Sequence, residues 1–362
     1  MVVEEGNPTF YTAHQARAAL FLVEMYGETL DPTYLQAASD IAAFASAEML
    51  SDEVGTPNEG GYRYTQDISR LLWPWMFTVG YSEAEMALAV SRVEPHGLRV
   101  DDWPELLTVA DHLETVQQDP DGGVYWTNRD VDRTPLGTDA RASIASAPLR
   151  EAGLRSAGIA ATDWLEAQQA VDGGFFSPHP VLASSDLTRE NAYAIRALID
   201  AGYDPDAGVL DLATDWLVGA QLADGSFPSE LGELDGNEDA TTAAGLALMA
   251  ALGSTCTVTP AVVEGYEVPA GGIAELTATL WNHGPLPMSV DVWYDVLVPG
   301  GSTVVLGPLA VPIGPRQSLV SSGSVPIPLA APLGEYFLRS YCGTFSPLEV
   351  VDRDTFRFTV VP

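Results

Sequence analysis

Residues 161–175 read ATDWLEAQQAVDGGF and residues 213–227 read ATDWLVGAQLADGSF. The offset, Ala161 to Ala213, is 52 residues, and Trp164, Leu165, Gln169, Asp172, Gly173 and Phe175 meet Trp216, Leu217, Gln221, Asp224, Gly225 and Phe227. A period of this size marks stacked supersecondary units rather than chance likeness. A looser copy, HLETVQQDPDGGVYW, begins at His112, with Leu113 read in the place of the aromatic. A degraded copy, NEGGYRY, begins at Asn58. Helical periodicity follows each loop, in ISRLLWPWMF, TDARASIASAPL, TRENAYAIRALIDAG and EDATTAAGLALMAALG. The unit is therefore helix, Asp-Gly-Gly-aromatic loop, helix. One such pair cannot bury both its faces, so neighbours must stack.

The loop chemistry is legible. Gly122 and Gly173 permit a positive φ where a helix must end sharply. Phe175 and Phe227 are expected to fold back as apolar plugs. Gln169 and Gln221 are expected to hydrogen-bond helix-end groups of the next repeat. Leu35, Ala38, Ile41, Ala42 and Ala45 keep helical spacing after Asp31-Pro32, and further helical stretches near 11–25, 67–93, 103–118, 138–153, 160–170, 188–201, 208–221 and 238–252 extend the helical region over the first 250 or so residues.

The pattern changes after Gly253-Ser254-Thr255. Ala274, Leu276, Ala278 and Leu280 alternate with polar residues. Val290, Val292, Tyr294, Val296 and Val298 share one face, and Phe356, Phe358 and Val360 another. Period-two runs broken by Gly and Pro predict an antiparallel β-sandwich. The chain is thus read as a multidomain α and β protein: residues 1–253 an α/α toroid of repeated helix pairs, and residues 254–362 an immunoglobulin-like β-sandwich. Each is expected to fold by itself.

Composition removes several function classes. The chain carries 16 basic and 50 acidic residues, a net charge of −34, and every basic residue is Arg. Without Lys there is neither a P-loop nor a Schiff base. No basic footprint exists for nucleic acid, and anionic membranes are repelled. The simplest reading of the charge is a solvated acidic surface, as in salt-adapted proteins. No apolar run is long enough to span a bilayer. The first residues, MVVEEGNPTFY, show no signal-peptide pattern. No cofactor is expected. The two cysteines, Cys256 and Cys342, share the C-terminal region and are candidates for a disulfide.

The Trp-Leu…Gln…Gly-Gly-Phe spacing of Trp164 to Phe175, matched by Trp216 to Phe227, resembles the QW repeat of squalene cyclases and protein prenyltransferase β subunits. The resemblance implies an α/α toroid, an inner and an outer ring of helices around a cavity. It is specific for fold and poor for chemistry. The segment ALFLVEMYGETLDPTYLQAASDIAAFA resembles helix pairs of glycan-degrading α/α toroids. LWNHGP, VWYDVLVPGG, APLGEYFLRSYCG and DRDTFRFTV resemble immunoglobulin-like modules of secreted bacterial proteins, which implies an extracellular or cell-surface setting.

No complete catalytic motif is present. Arg99-Val100-Asp101-Asp102 and Asp130-Val131-Asp132-Arg133 each lack an Asp of the acidic motif of terpene cyclases. Asp101-Asp102-Trp103-Pro104-Glu105 matches a loose metal-binding pattern but reads better as a helix start. The helical region has no Cys for a zinc site of the prenyltransferase kind. His14, His96, His112 and His283 read as isolated histidines. Polar residues do collect after the repeat loops. Arg63, Tyr64 and Asp67 follow the first, Asp139 and Arg141 the second, and His179, Asp186, Arg189, Glu190 and Tyr193 the third. Equivalent positions of stacked repeats fall on one rim, so Arg63, Tyr64, Asp67, His179, Asp186, Arg189, Glu190 and Tyr193 are the candidate ligand-binding residues. The competing reading is helix caps and surface ion pairs. A toroid mouth that binds an extracellular glycan is the leading reading. A glycan-active lyase, hydrolase or epimerase is the alternative, and a terpene-cyclase-like enzyme comes last. The sequence leaves the oligomeric state open.

Overall fold

The computed structural model describes residues 9–51, 54, 56–63, 65–67, 79–96, 102–127, 138–176, 187–200, 208–230, 235–252, 256–260, 266–282, 286–299, 303–315, 317–346 and 348–362. Helices and strands segregate along the chain. The α-helices described are α1 (Thr12–Thr29), α2 (Pro32–Glu48), α3 (Gly80–Val93), α4 (Asp102–His112), α5 (Ser146–Glu151), α6 (Arg155–Ala167), α7 (Leu187–Asp200), α8 (Gly208–Gly219) and α9 (Glu238–Leu252). A short antiparallel strand pair, β1 (Thr9–Tyr11) with β2 (Thr65–Asp67), brackets α1 and α2 and pins the start of α1.

The helices form an α/α toroid. α1, α3, α5, α7 and α9 are inner; α2, α4, α6 and α8 are outer. α3 buries 13 of its residues, Gly80 to Ser91 and Val93, whereas α8 buries only Leu210, Ala213 and Leu217. Small residues let the inner helices approach: Ala84, Ala87, Ala89, Ala142, Ala145 and Ala147 are all fully buried. The segment before α5 is a tight 3-10 turn, Ala140–Ala145, capped by the Asp139 carboxylate on the Arg141 N–H.

The repeat loops explain the repeat residues. In three successive loops the same backbone bonds recur: Gly122 N–H to Asp119 O at 2.8 Å, Gly173 N–H to Ala170 O at 2.9 Å and Gly225 N–H to Leu222 O at 2.9 Å. All three glycines have positive φ, between 89° and 101°. Gln118 Nε2 donates to Gly122 O in its own loop and to Ala157 O of the next outer helix, at 3.0 and 2.8 Å. Gln169 does the same to Gly173 O and Val209 O, at 3.1 and 2.7 Å. Gln221 is exposed and donates to Gly225 O of its own loop. The second glycine makes room for the next repeat's Trp. A Cβ on Gly123 would lie 2.7 Å from the Trp164 indole, and one on Gly174 equally close to Trp216. Phe175 is fully buried, and Asn191 of the following inner helix bonds both its N–H and its C=O.

The first repeat corrects the alignment made from sequence. Gly60 and Gly61 face Thr108 and His112, as Gly122 and Gly123 face Ala160 and Trp164. His112, not Leu113, therefore occupies the Trp position. One extra residue between His112 and Gln118 is absorbed by a π-helical turn, Leu113–Gln117, the usual way a helix takes up a one-residue insertion.

From Cys256 onward the chain is β. One sheet has the order β4 (Tyr266–Pro269), β10 (Glu349–Val361), β9 (Gly334–Thr344), β6 (Met288–Leu297), β7 (Thr303–Ile313). The other has β3 (Cys256–Pro260), β5 (Ile273–Asn282), β8 (Gln317–Pro326). Among the described strands β4 and β10 pair in parallel and the other pairs are antiparallel. Ala274 of β5 shares a buried cluster with Val296, Leu338, Phe356 and Phe358 of the larger sheet. Cys256 and Cys342 are disulfide-bonded, with Cα atoms 6.8 Å apart, which ties β3 to β9.

The helical and β parts meet across buried charge. Arg150 Nη2 lies 2.9 Å from Asp352 Oδ1, and Arg155 Nη1 2.7 Å from Asp354 Oδ2. Arg339 reaches Glu94 at 2.6 Å as well as Asp295, and Arg353 bonds Glu94 and Glu151. The Trp103 ring packs under both guanidinium groups, 4.9 Å from Arg339 and 5.5 Å from Arg353.

Candidate functional site

The inner helices enclose a cavity of about 510 Å³, lined by α1, α3, α7, α9 and Ile144. Helical spacing puts Arg17, Phe21 and Glu24 on one stripe of α1, and Tyr193 and Arg196 on one stripe of α7. Leu20, Phe21, Ile144, Ala192 and Leu246 give apolar wall; Arg17, Glu24, Glu85, Tyr193, Arg196, Thr241 and Thr242 give polar groups.

Glu85 organises the polar groups. Its Oε1 accepts from Arg17 Nε at 3.2 Å and from the Tyr193 hydroxyl. Its Oε2 is buried with no hydrogen-bond partner among the described residues. The Arg17 guanidinium lies 5.8 Å from the Tyr193 ring centre. Tyr193 also packs on Tyr81, with ring centres 6.3 Å apart, and Arg141 stacks on Tyr81 at 4.9 Å. Arg141 in turn holds Asp139 through Nε and Nη2. A chain of contacts thus runs Asp139, Arg141, Tyr81, Tyr193, Glu85, Arg17.

Burial, then the charge of Glu85, pushes the Tyr193 hydroxyl well above the ordinary phenol range; Arg17 and Arg189 only partly oppose it. Tyr193 is therefore a neutral hydrogen-bond donor at any physiological pH. Burial alone would lower Arg17, but the charge and hydrogen bond of Glu85 oppose it and keep the guanidinium charged.

Of the residues proposed from sequence, the structure brings Tyr193 to this cavity. Arg189 stands one turn before it on α7, close enough to act on its charge. Glu190 is buried but is not part of the cavity wall. Arg63 is half-buried beside the start of α1, where its carbonyl accepts from Thr12 and its N–H donates to Met49 O at 2.9 Å. Asp67 corrects the reading: it stands not at a helix start but on β2, paired with Thr9. Its side chain, and Tyr64, His179 and Asp186 entirely, lie outside the described residues. Sequence reasoning missed Arg17, Glu85 and Arg196. The signal for Glu85 was two acids, Glu83 and Glu85, inside an otherwise apolar and Ala-rich helix.

Two other buried acids are structural. Glu105 accepts from the hydroxyls of Tyr62 and Ser46; α4 begins at Asp102, in keeping with the helix-start reading of that stretch. His112 corrects the isolated reading. Its Nδ1 lies 2.6 Å from Glu83 Oε1, and its Nε2 2.8 Å from Pro57 O. Burial pulls its pKa down, but Glu83 and the two hydrogen bonds outweigh this and raise it. Among the described residues no cluster of His, Cys, Asp or Glu fits a metal ion, and no helix is long and apolar enough to cross a membrane.

No protein-family profile and no curated protein sequence matches this chain. Solved structures share the fold. A GH76 α-mannanase from Bacteroides thetaiotaomicron superposes with TM-score 0.50 at 16% identity, over 69% of this chain and 71% of that one. A family 76 glycoside hydrolase from a bovine strain of the same species gives 0.51 at 14% identity, over 67% of this chain and 55% of that one. At these identities the likeness establishes the α/α toroid and nothing about chemistry.

Proposed function

We propose that this chain acts on a glycan, as a hydrolase or epimerase, and that one sugar unit enters the toroid cavity. The observation that carries the reading is the polar cluster at the cavity: a buried carboxylate, Glu85, holding a guanidinium and a neutral phenol on one oxygen. In such a set the terminal N–H groups of Arg17 donate to sugar oxygens and the Tyr193 hydroxyl oxygen accepts, while Phe21 and the aliphatic walls accept the apolar face of a ring. The volume falls within the roughly 300–1,000 Å³ of small-molecule sites. Glu24, two turns along α1 from Arg17, supplies a second carboxylate on the same wall. Two carboxylates flanking a glycosidic bond are the usual requirement for its hydrolysis. The names of the two structural neighbours support the substrate class.

The reading is tested by incubating the full chain with a panel of neutral and acidic oligosaccharides and following products by chromatography. Turnover of one glycan is expected, reduced at least about 100-fold in Tyr193→Phe and Glu85→Gln. Turnover unchanged in both variants would place the chemistry elsewhere; no turnover with any glycan would refute an enzymatic role.

One observation favours a second reading, binding without turnover. Both oxygens of Glu85 are hidden, Oε1 by its partners and Oε2 by burial. Saturable binding of a glycan with no product would decide for it. We further propose that the repeat is of the QW kind, that the two sheets form an immunoglobulin-like sandwich, and that residues 1–253 and 254–362 are separate domains. The Cys256–Cys342 disulfide and the acidic charge support an extracellular setting.

A further inference from the structure

Basic residues are scarce in this chain, and most of the described arginines are committed to carboxylates. Arg92, Arg150, Arg155, Arg339 and Arg353 are absorbed by the contact between the helical and β parts. Arg141 is taken by Asp139 and Arg357 by Glu335. Arg196 differs: it lines the cavity, half-buried, with no carboxylate partner among the described residues. With fifty acids in the chain, an unpaired guanidinium on a concave wall needs a reason. It stands three residues after Tyr193, on the same face of α7. Across the cavity Arg17 bonds Glu85 through Nε alone, and its side chain keeps 28% of its surface exposed. Its two terminal nitrogens therefore remain as donors toward the cavity.

We propose that the cavity selects an anionic sugar, a uronic acid unit, whose carboxylate docks between Arg17 and Arg196 while the ring lies against Tyr193 and Phe21. This rests on the glycan reading above and names its substrate class. A guanidinium presents paired N–H donors that match a carboxylate's two oxygens, which a neutral hydroxymethyl group does not. Glu85 fixes Arg17 and the Tyr193 hydroxyl in this arrangement. The −34 charge repels an anionic glycan at long range, so the local arginines must supply the attraction, and binding should weaken with salt.

The test is calorimetric titration of the full chain with matched pairs of methyl glycosides: glucuronide and glucoside, galacturonide and galactoside, mannuronide and mannoside. At least one acidic member is expected to bind ten-fold or more tighter than its neutral partner, and less tightly in 0.5 M salt than in 0.05 M. Arg196→Gln should abolish the preference for the acidic member and leave the thermal midpoint unmoved, because the side chain is half-buried and has no carboxylate partner among the described residues. Neutral sugars bound as well as acidic ones would overturn the uronate proposal while the glycan reading stands. No binding by any of the six would overturn both. An Arg196→Gln loss shared equally by acidic and neutral sugars would show that the residue shapes the wall and reads no charge.

Discussion

At the scale of single residues, His112 shows how one substitution is absorbed. It takes the place that Trp164 and Trp216 fill in later repeats, beside Gly61, and replaces their apolar packing by an ion pair with Glu83. His112→Ala leaves the Glu83 charge buried without it, and the expected cost is about 3–5 kcal/mol, read from urea unfolding. The pair also makes stability depend on pH. The folded pKa of His112 is raised, so its contribution is complete below the unfolded value near 6.5 and is lost as pH rises through the folded value. The wild type should lose denaturation midpoint over that window, and His112→Phe should lack this component. A slope identical in the two proteins would show that other groups set it. Glu83 and Glu85 were open to notice in the sequence as charges inside an apolar helix. Their separate roles were not, because the partners, His112 on one side and Arg17 with Tyr193 on the other, come from different helices.

At the scale of elements, the loop glycines divide into two kinds. Gly173 has φ +94°, and a Cβ there would meet Leu212 O at 2.3 Å. Gly225 has φ +89°, but its Cβ would meet nothing nearer than Gln221 Nε2 at 3.9 Å. Gly225→Ala should therefore cost only the left-handed backbone, about 1–2 kcal/mol. Gly173→Ala must also push α8 away from the loop and should cost clearly more. Equal midpoints for the two variants in chemical denaturation would contradict this packing. The disulfide belongs to the same scale, because it links one strand of each sheet. It closes a span of 86 residues, worth roughly 4.5 kcal/mol in the chain-entropy picture. Thiol titration of unfolded, unreduced protein should find no free thiol; two would remove the bond.

At the scale of the molecule, the helical and β parts are less independent than a change of periodicity implies. Arg150, Glu151, Asp352, Asp354 and Arg353 are all at most 5% exposed, and each has a partner across the junction or beside it. Separation would leave these charges facing water or unpaired. Burial, against the pull of Arg155 and Arg150, already pushes Asp354 up to about 7. Residues 254–362 expressed alone should keep β-type circular dichroism yet melt at least about 5 °C lower than the same part in the full chain, as a loss above 1 kcal/mol requires in a domain of that size. An unchanged midpoint would show that the ionic contact adds nothing. The sequence by itself determined the repeat, its loop chemistry and the switch from helix to strand, because periodicity and glycine placement act over a few neighbouring residues. It also marked Tyr193, through its position after a loop. Only the tertiary structure decided which side chains share the cavity, which arginines are spent on the β part, and that Arg196 has no carboxylate partner among the described residues. Those outcomes depend on contacts between elements more than 200 residues apart, α1 and α9 among them, and no local pattern encodes them.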